Sequence, residues 1–521
     1  MVKPSFHKYI QFIKLRSEHI LCALIFFFLL LFGILTLNTY GIHVDDFSLA
    51  KQGMLVSNKL LDPTNNSYVT NGFMRYYSPF FEVFAHLIIS YFGIAFDTLN
   101  YYLARKFLIY LSFLSGLTFY YLILRKYFPV KTSVLGTASL FLIPSFFGYA
   151  SVTSKEIPLI SFTIISIYFL LGYYNQSNYR NLILHGLFLG IAIAIRPSAL
   201  VLIPITALIF INIFFRKLQK KKKPNISIIS SLLASIFIFF LVIIIPSFVF
   251  DPFLWEYPIE NYKSRLDFMS NFDMGGSIMI MGETMRISES RTIDMFLLGV
   301  RKIPESFIFL LIVGAVSSLI NLINRKLKNT ELIIVATLWI SLPLITIFIK
   351  ETKFYNFRHL LIFLPPIGIL TTFGINYLIN KKNLMIKNSA YMLVVAGLII
   401  SFINIRYLFP YEVSYFNSIS GGLEKNSSLY SNYPEGIAEK EAIQFLCNSN
   451  DEIYKISGPF VGMYIPFYCP NKVIYEPDYT KSNFVITYDF YEELIEVPAG
   501  AELIGQIERE NASILNIYKH N

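Results

Sequence analysis

Cysteine is nearly absent from this chain. There are three in 521 residues, Cys22, Cys447 and Cys469, with no Cys-x-x-Cys pair and no Cys/His spacing of a metal site. Charge is thin as well: Asp, Glu, Lys and Arg make up 15% of the residues, where a soluble globular chain carries about a quarter. No Gly-rich phosphate loop and no nucleophile triad motif stands out, and no stretch has room for a soluble nucleotide-binding domain. These shortages exclude a soluble enzyme, a zinc or dithiol protein and an ordinary nucleotide-sugar transferase. What the chain has instead is apolar surface: 55% hydrophobic and 17% aromatic residues, with a mean hydropathy of +0.54. That is the composition of a polytopic membrane protein. The net charge of +10 is not a nucleic-acid footprint, because Lys and Arg sit in short clusters between apolar runs, as in cytoplasmic loops.

The apolar runs fall at 20–38, 107–124, 132–150, 157–174, 182–195, 199–215, 226–246, 304–322, 331–349, 360–379 and 389–408, predicting about 11 transmembrane helices. Most approach the ~20 residues that cross a ~30 Å hydrocarbon core. The fifth is short and ends at Arg196-Pro197, which suggests a tilted or broken span. The first is too long for a cleaved signal peptide and has no small-residue cleavage site after it. Lys3, Lys8, Lys14 and Arg16 precede the first span and put the N-terminus in the cytoplasm. With eleven spans, the clusters at Arg125-Lys126, Arg180, Arg216-Lys217, Lys220–Lys223, Arg325-Lys326 and Lys381-Lys382 all fall inside. Counting 79–95 as a further span would put Lys220–Lys223 outside. It is therefore expected to lie along the outer surface, with Glu82 and His86 on one helix face.

The outer side then collects Asp45-Asp46, Ser154-Lys155-Glu156, Arg196-Pro197, the loop 247–303, the run Lys350 to His359 and everything after about 409. Ionisable residues next to a bilayer are costly. Their convergence on one membrane face is the layout of an enzyme acting on a lipid headgroup, not of a channel with charges through its midplane. The polar, Met-rich segment 256–295 with Gly275-Gly276 reads as a lid over such a site. Beyond 409 the chain changes character. A helix is expected at 435–447 and strands at 452–456, 472–475 and 484–488, making a small α/β extracytoplasmic domain. An oxidising compartment would allow Cys447 and Cys469 to bridge there.

Several stretches resemble the GT-C glycosyltransferases, multi-span enzymes using polyprenyl-phosphate sugars, in the protein O-mannosyltransferase and aminoarabinose transferase branch. They are the acidic pair in Gly41-Ile42-His43-Val44-Asp45-Asp46, Arg105 opening a Gly-containing span, and Ser154-Lys155-Glu156-Ile157-Pro158 as a second acidic motif. Ala194-Ile195-Arg196-Pro197, Tyr355-Asn356-Phe357-Arg358-His359 with Pro365-Pro366, Pro410-Tyr411-Glu412 to Gly421-Gly422, and Tyr433-Pro434-Glu435-Gly436 follow in order. The second acidic motif departs from the family at two positions: the family more often has Asp where Glu156 stands, and it lacks Lys155. The resemblance implies a GT-C transmembrane catalytic module over 1–408, with outer loops at 39–106 and 247–303, and the extracytoplasmic domain over 409–521.

The implied reaction moves a sugar from a dolichyl- or undecaprenyl-type phosphate to a hydroxyl on protein, lipid or glycan, with inversion. Such a transfer needs a base for the acceptor proton and cations for the leaving phosphate. Asp45 is expected as base, with Asp46 orienting or binding acceptor. Arg105, Arg196, Lys353, Arg358 and His359 are expected at the donor phosphate, and Lys155-Glu156 as the second acidic motif. Each has a structural alternative: Asp45-Asp46 capping a helix, Lys155-Glu156 as a local ion pair, Arg105 as an interfacial anchor. No cofactor or metal is implied, although two carboxylates could hold a divalent ion. The expected setting is a bacterial inner or plasma membrane. A flippase for lipid-linked sugars, or a surface-glycan polymerase or ligase, are the rival readings; a flippase should show internal repeats, and none is evident.

Overall fold

The computed structural model describes residues 20–520 apart from 21–22, 66, 68–71, 154, 222–225, 272–274, 325–328, 354–355, 432–435, 450–452 and 489–496. The basic residues before the first span, Ser154, Tyr355 and Tyr433-Pro434-Glu435 lie outside the described residues.

Helix α1 is described over Ala23–Thr36. Two helices then precede the next long one: α2 (Val44–Leu61) and α3 (Phe80–Tyr91). At 12 residues α3 is about 18 Å long, too short to cross a hydrocarbon core. It packs on α2 with its Glu82 face buried. The chain continues through α4 (Leu99–Tyr127), α5 (Val130–Phe141), α6 (Pro144–Tyr149), α7 (Glu156–Gln176) and α8 (Tyr179–Ile195). The run expected as one span at 132–150 is thus two helices. Pro144 has no N–H to donate and disfavours helical geometry at Ile143, so the helix stops at Phe141 and restarts at the proline. The same chemistry ends α8 at Arg196-Pro197.

Next come α9 (Ile203–Lys221) and α10 (Ile226–Val249), then α11 (Pro258–Ser270) and a hairpin of β1 (Ser277–Ile280) and β2 (Glu283–Arg286). Helices α12 (Thr292–Arg301), α13 (Glu305–Ile323), α14 (Thr330–Ile349), α15 (Leu364–Ile379) and α16 (Leu384–Leu408) follow. Eight helices are long and apolar enough to cross a membrane among the described residues; α1 and α8 are shorter apolar helices. Helix α13 crosses α15 at close range. A methyl group at Gly314 or Gly374 would run into the facing backbone, so only glycine permits that approach.

The segment expected as a lid is tied down where it is described. Ile278, Ile280, Ile287, Met295 and Leu298 form one cluster with Leu408, Tyr415, Phe416 and Tyr430. After α16 come α17 (Gly422–Ser427), α18 (Ile437–Ser449) and α19 (Val461–Tyr468), with a five-stranded sheet. Its strands β3 (Tyr454–Ser457), β4 (Val473–Tyr475) and β5 (Phe484–Thr487) are parallel, in the order β4-β3-β5. The hairpin β6 (Glu502–Arg509) and β7 (Ala512–Lys519) adds antiparallel to β5. A disulfide joins Cys447 in α18 to Cys469 at the end of α19. The domain is continuous with the helical module: Ile437, Ala438, Tyr464 and Ile465 belong to the same buried core as residues of α4, α7 and α15.

Candidate active site

The N-terminus of α2 divides the acidic pair. His43 stands at the helix cap, its Nδ1 3.0 Å from the Asp45 amide. Neighbouring residues on a helix point in different directions. Asp45 therefore faces an accessible space, with 44% of its side chain exposed, while Asp46 turns inward and is 1% exposed. Asp46 meets Arg105 of α4, whose guanidinium also holds Glu82 of α3, Nε to Oε2 at 3.1 Å. All three side chains are sealed from solvent. Burial and the neighbouring Glu82 push the Asp46 carboxyl up, against the pull of Arg105. Arg105, expected at the donor phosphate, is thus a buried bracket joining α2, α3 and α4, and Asp46 is its partner rather than an open acceptor ligand.

Asp45 has a different partner. Arg358 stands in the 3-10 turn Phe357–Phe363 leading into α15, a turn capped by Asn356, which also accepts from the Tyr149 hydroxyl at 2.7 Å. Its Nη2 lies 2.8 Å from Asp45 Oδ2 and its Nη1 2.7 Å from His43 Nε2. Burial would raise the Asp45 carboxyl, but Arg358 holds it well below the usual carboxylate range. Burial drives His43 down to about 3, so its ring is neutral. A neutral imidazole has one in-plane lone pair, and the charged guanidinium is the stronger claimant for it.

A second carboxylate–arginine–histidine group adjoins the first. Glu156, the first residue of α7, lies 2.6 Å from Arg196 Nη1 and 3.8 Å from His359 Nδ1, and Arg196 Nη2 is 3.4 Å from that same His359 nitrogen. Arg358 and His359 are consecutive, so one backbone turn feeds both groups. Beside them is Lys155. It is 7% exposed, and its ammonium has no hydrogen-bond partner among the described residues; it rests 4.6 Å from the centre of the Tyr77 ring. Burial lowers it to about 8, opposed by the charges of Glu82, Glu156 and Asp45.

Asp45, Lys155, Glu156, Arg196, Arg358 and His359 thus come together at one end of the bundle. Lys353 belongs to neither group; its ammonium donates to the Ser290 carbonyl at 2.8 Å and ties its loop to the segment before α12. Sequence reasoning missed His43, Glu82 and Tyr77 as members of the site and its support. His43 left a signal, an imidazole two residues before a carboxylate at a helix start. Tyr77 left none. Among the described residues no group of three or more His, Cys, Asp or Glu side chains is placed to hold a metal ion.

The bundle of apolar helices, the short helices at one end and the small C-terminal α/β domain have counterparts among known proteins. Residues 86–245 match the family described as dolichyl-phosphate-mannose-protein mannosyltransferase. The crystal structure of ArnT from Cupriavidus metallidurans in the apo state aligns with 97% of this chain and 98% of its own, at 11% identity and a TM-score of 0.50. That of the same protein bound to undecaprenyl phosphate aligns over 96% and 98%, at 12% identity and a TM-score of 0.46. No curated protein matches the sequence.

Proposed function

We propose that the chain is a membrane glycosyltransferase that moves a sugar from a polyprenyl-phosphate donor to an acceptor hydroxyl, with inversion at the anomeric carbon. The observation that carries this reading is Asp45, an ionised, accessible carboxylate paired with Arg358 at one end of an apolar bundle. The mannosyltransferase match over 86–245 supports the donor class.

In the proposed step the acceptor oxygen attacks the anomeric carbon, its proton passes to Asp45, and the bond from carbon to the phosphate oxygen breaks. The leaving polyprenyl phosphate keeps the electron pair and gains negative charge. Lys155 has a free ammonium to meet that charge, and Arg196 and Arg358 offer planar forks beside it. Resting Asp45 is a weak base because Arg358 stabilises its charge. A donor phosphate that draws Arg358 toward itself releases that hold and strengthens the base as the substrate arrives. We place this site on the extracytoplasmic face, with the N-terminus in the cytoplasm. The Cys447–Cys469 bridge in the adjoining domain supports that orientation, because such bonds persist in oxidising compartments.

The test is turnover by purified protein with a panel of labelled polyprenyl-phosphate sugars and an acceptor extract, following release of polyprenyl phosphate. Asp45→Asn should lower kcat by at least about a hundredfold, the lower range for losing a general base, with the fold intact. Release unaffected by Asp45→Asn would move the base elsewhere, and no release from any donor would remove the reading.

A further inference from the structure

The segment that presents Asp45 is held from the far end of the chain. Residues 41–43 lie between the turn at 37–40 and α2 and belong to no helix or strand. Their backbone groups are taken up by neighbours distant in sequence. The Ile42 amide donates to the Tyr468 hydroxyl at 3.0 Å, and the Asn38 carbonyl accepts from Lys440 of α18. The Tyr40 carbonyl accepts from Lys106 at 2.6 Å and its hydroxyl donates to Glu412 at 3.0 Å. A methyl group at Gly41 would collide with the Gly436 carbonyl, and one at Gly436 with the Ile42 carbonyl, so the two backbones approach closely here. Two residues past Asp45, the Phe47 ring packs edge-on against Tyr464 at 5.6 Å and tilted against Phe467 at 5.7 Å, both from α19. Tyr102 of α4 closes the cluster, 5.4 Å from Phe47 and 5.3 Å from Phe467.

We infer that α18 and α19 of the C-terminal domain are the positioning element for the Asp45 segment, with Tyr468 as its key contact and the Cys447–Cys469 bridge as its fastening. This rests on the function proposed above only in naming Asp45 the reacting group; the mechanical coupling stands on the contacts themselves. Neither helix reaches the carboxylate. α18 holds the backbone before it at Asn38, α19 holds the Ile42 amide before it and packs on the Phe47 ring after it, and the bridge joins the two helices near their ends, so neither can shift alone. Tyr468 works through the Ile42 amide, one residue before the His43 cap that starts α2 and receives Arg358. Loosening α19 therefore changes the angle at which Asp45 meets Arg358 without removing a group from the site.

The experiment uses the full chain in lipid nanodiscs and two variants, Tyr468→Phe and the pair Cys447→Ser with Cys469→Ser. Hydrogen exchange of the amides from 42 to 47 is the primary measurement and needs no substrate. Tyr468→Phe should speed exchange in that segment about fivefold, the scale of one lost hydrogen bond, with exchange in α13 and α15 unchanged. The double serine variant should do the same, as should reduction of the wild-type bridge. On turnover, Tyr468→Phe should lower kcat and leave KM for the donor in place, since no phosphate contact is touched. Unchanged exchange at 42–47 in both variants, with melting temperatures like the parent, would overturn the inference. Faster exchange at 42–47 in a protein that turns over no donor would uphold the coupling and discard the glycosyltransferase reading instead.

Discussion

Replacing Arg105 separates two roles for that residue. In the structure one guanidinium answers two carboxylates, Asp46 and Glu82, and all three side chains are 1% exposed. Arg105→Met keeps the length and apolar stem but leaves two buried acids without the guanidinium that pairs with both. Breaking a buried pair by removing one partner costs about 3–5 kcal/mol, and two stranded acids put this case at the upper end. Asp46→Asn should cost less, because Glu82 still pairs with Arg105. Combining Arg105→Met with Asp46→Asn and Glu82→Gln removes every stranded charge and should recover most of the loss, since neutral isosteres of buried pairs are often near neutral. The assay is thermal unfolding of the four proteins in one detergent, alongside donor binding measured on the folded fraction. The expected order of stability is parent, then triple variant and Asp46→Asn, with Arg105→Met last. An Arg105→Met protein that melts with the parent yet fails to bind donor would refute the bracket and make Arg105 a phosphate ligand.

Lys155 gives a pH signature. Burial lowers its ammonium to about 8, so its charge is full well below that pH and fades as pH rises through it. A donor phosphodiester does not titrate there, so KM for the donor should climb above about pH 8 in the parent and stay flat in Lys155→Arg, whose charge persists. Asp45 behaves oppositely: Arg358 depresses its carboxyl, so the stability it contributes is complete above the unfolded value of about 4 and is lost only as pH falls below that. Unfolding curves at pH 5 and 7 should then differ no more in the parent than in Asp45→Asn. Cutting the Cys447–Cys469 bridge, which closes a loop with a sequence separation of 22, should cost about 3 kcal/mol, read from denaturant midpoints of oxidised and reduced protein. Gly374→Val forces a branched side chain against the α13 backbone and should lower stability by about 1–3 kcal/mol or more, checked by the same melt.

The long apolar helices were legible in the sequence because an uncharged apolar run of spanning length has little use outside a bilayer. The exception is 132–150, which has the hydropathy of one span, yet Pro144 within it splits the helix. The α/β character of the last hundred residues was readable from β3, β4 and β5. The β6–β7 hairpin was not, since β6 is studded with charge and its turn uses Glu510-Asn511 in left-handed geometry in place of an Asn-Gly signal. For the site, charges near a bilayer are rare enough to single out candidates, and the structure brings Asp45, Lys155, Glu156, Arg196, Arg358 and His359 together. The pairing did not. Arg105 and Arg358 look alike in sequence, and only tertiary packing decides that one is sealed between Asp46 and Glu82 while the other stands beside an accessible Asp45. Tyr77 was invisible because one tyrosine among 35 carries no signal until Lys155 is placed over it.

The grip on residues 38–42 also has a consequence in time. Its contacts span 372, 426 and 402 residues of chain, from Tyr40 to Glu412, Ile42 to Tyr468 and Asn38 to Lys440. A ribosome makes the acidic pair early, and no early part of the chain can finish setting it. The residues that do so are made far later, and the bridge that secures them can close only once both Cys447 and Cys469 have been made. A chain cut anywhere between 360 and 468 therefore carries Asp45, Lys155, Glu156, Arg196, Arg358 and His359 and still lacks the tyrosine that holds the Ile42 amide.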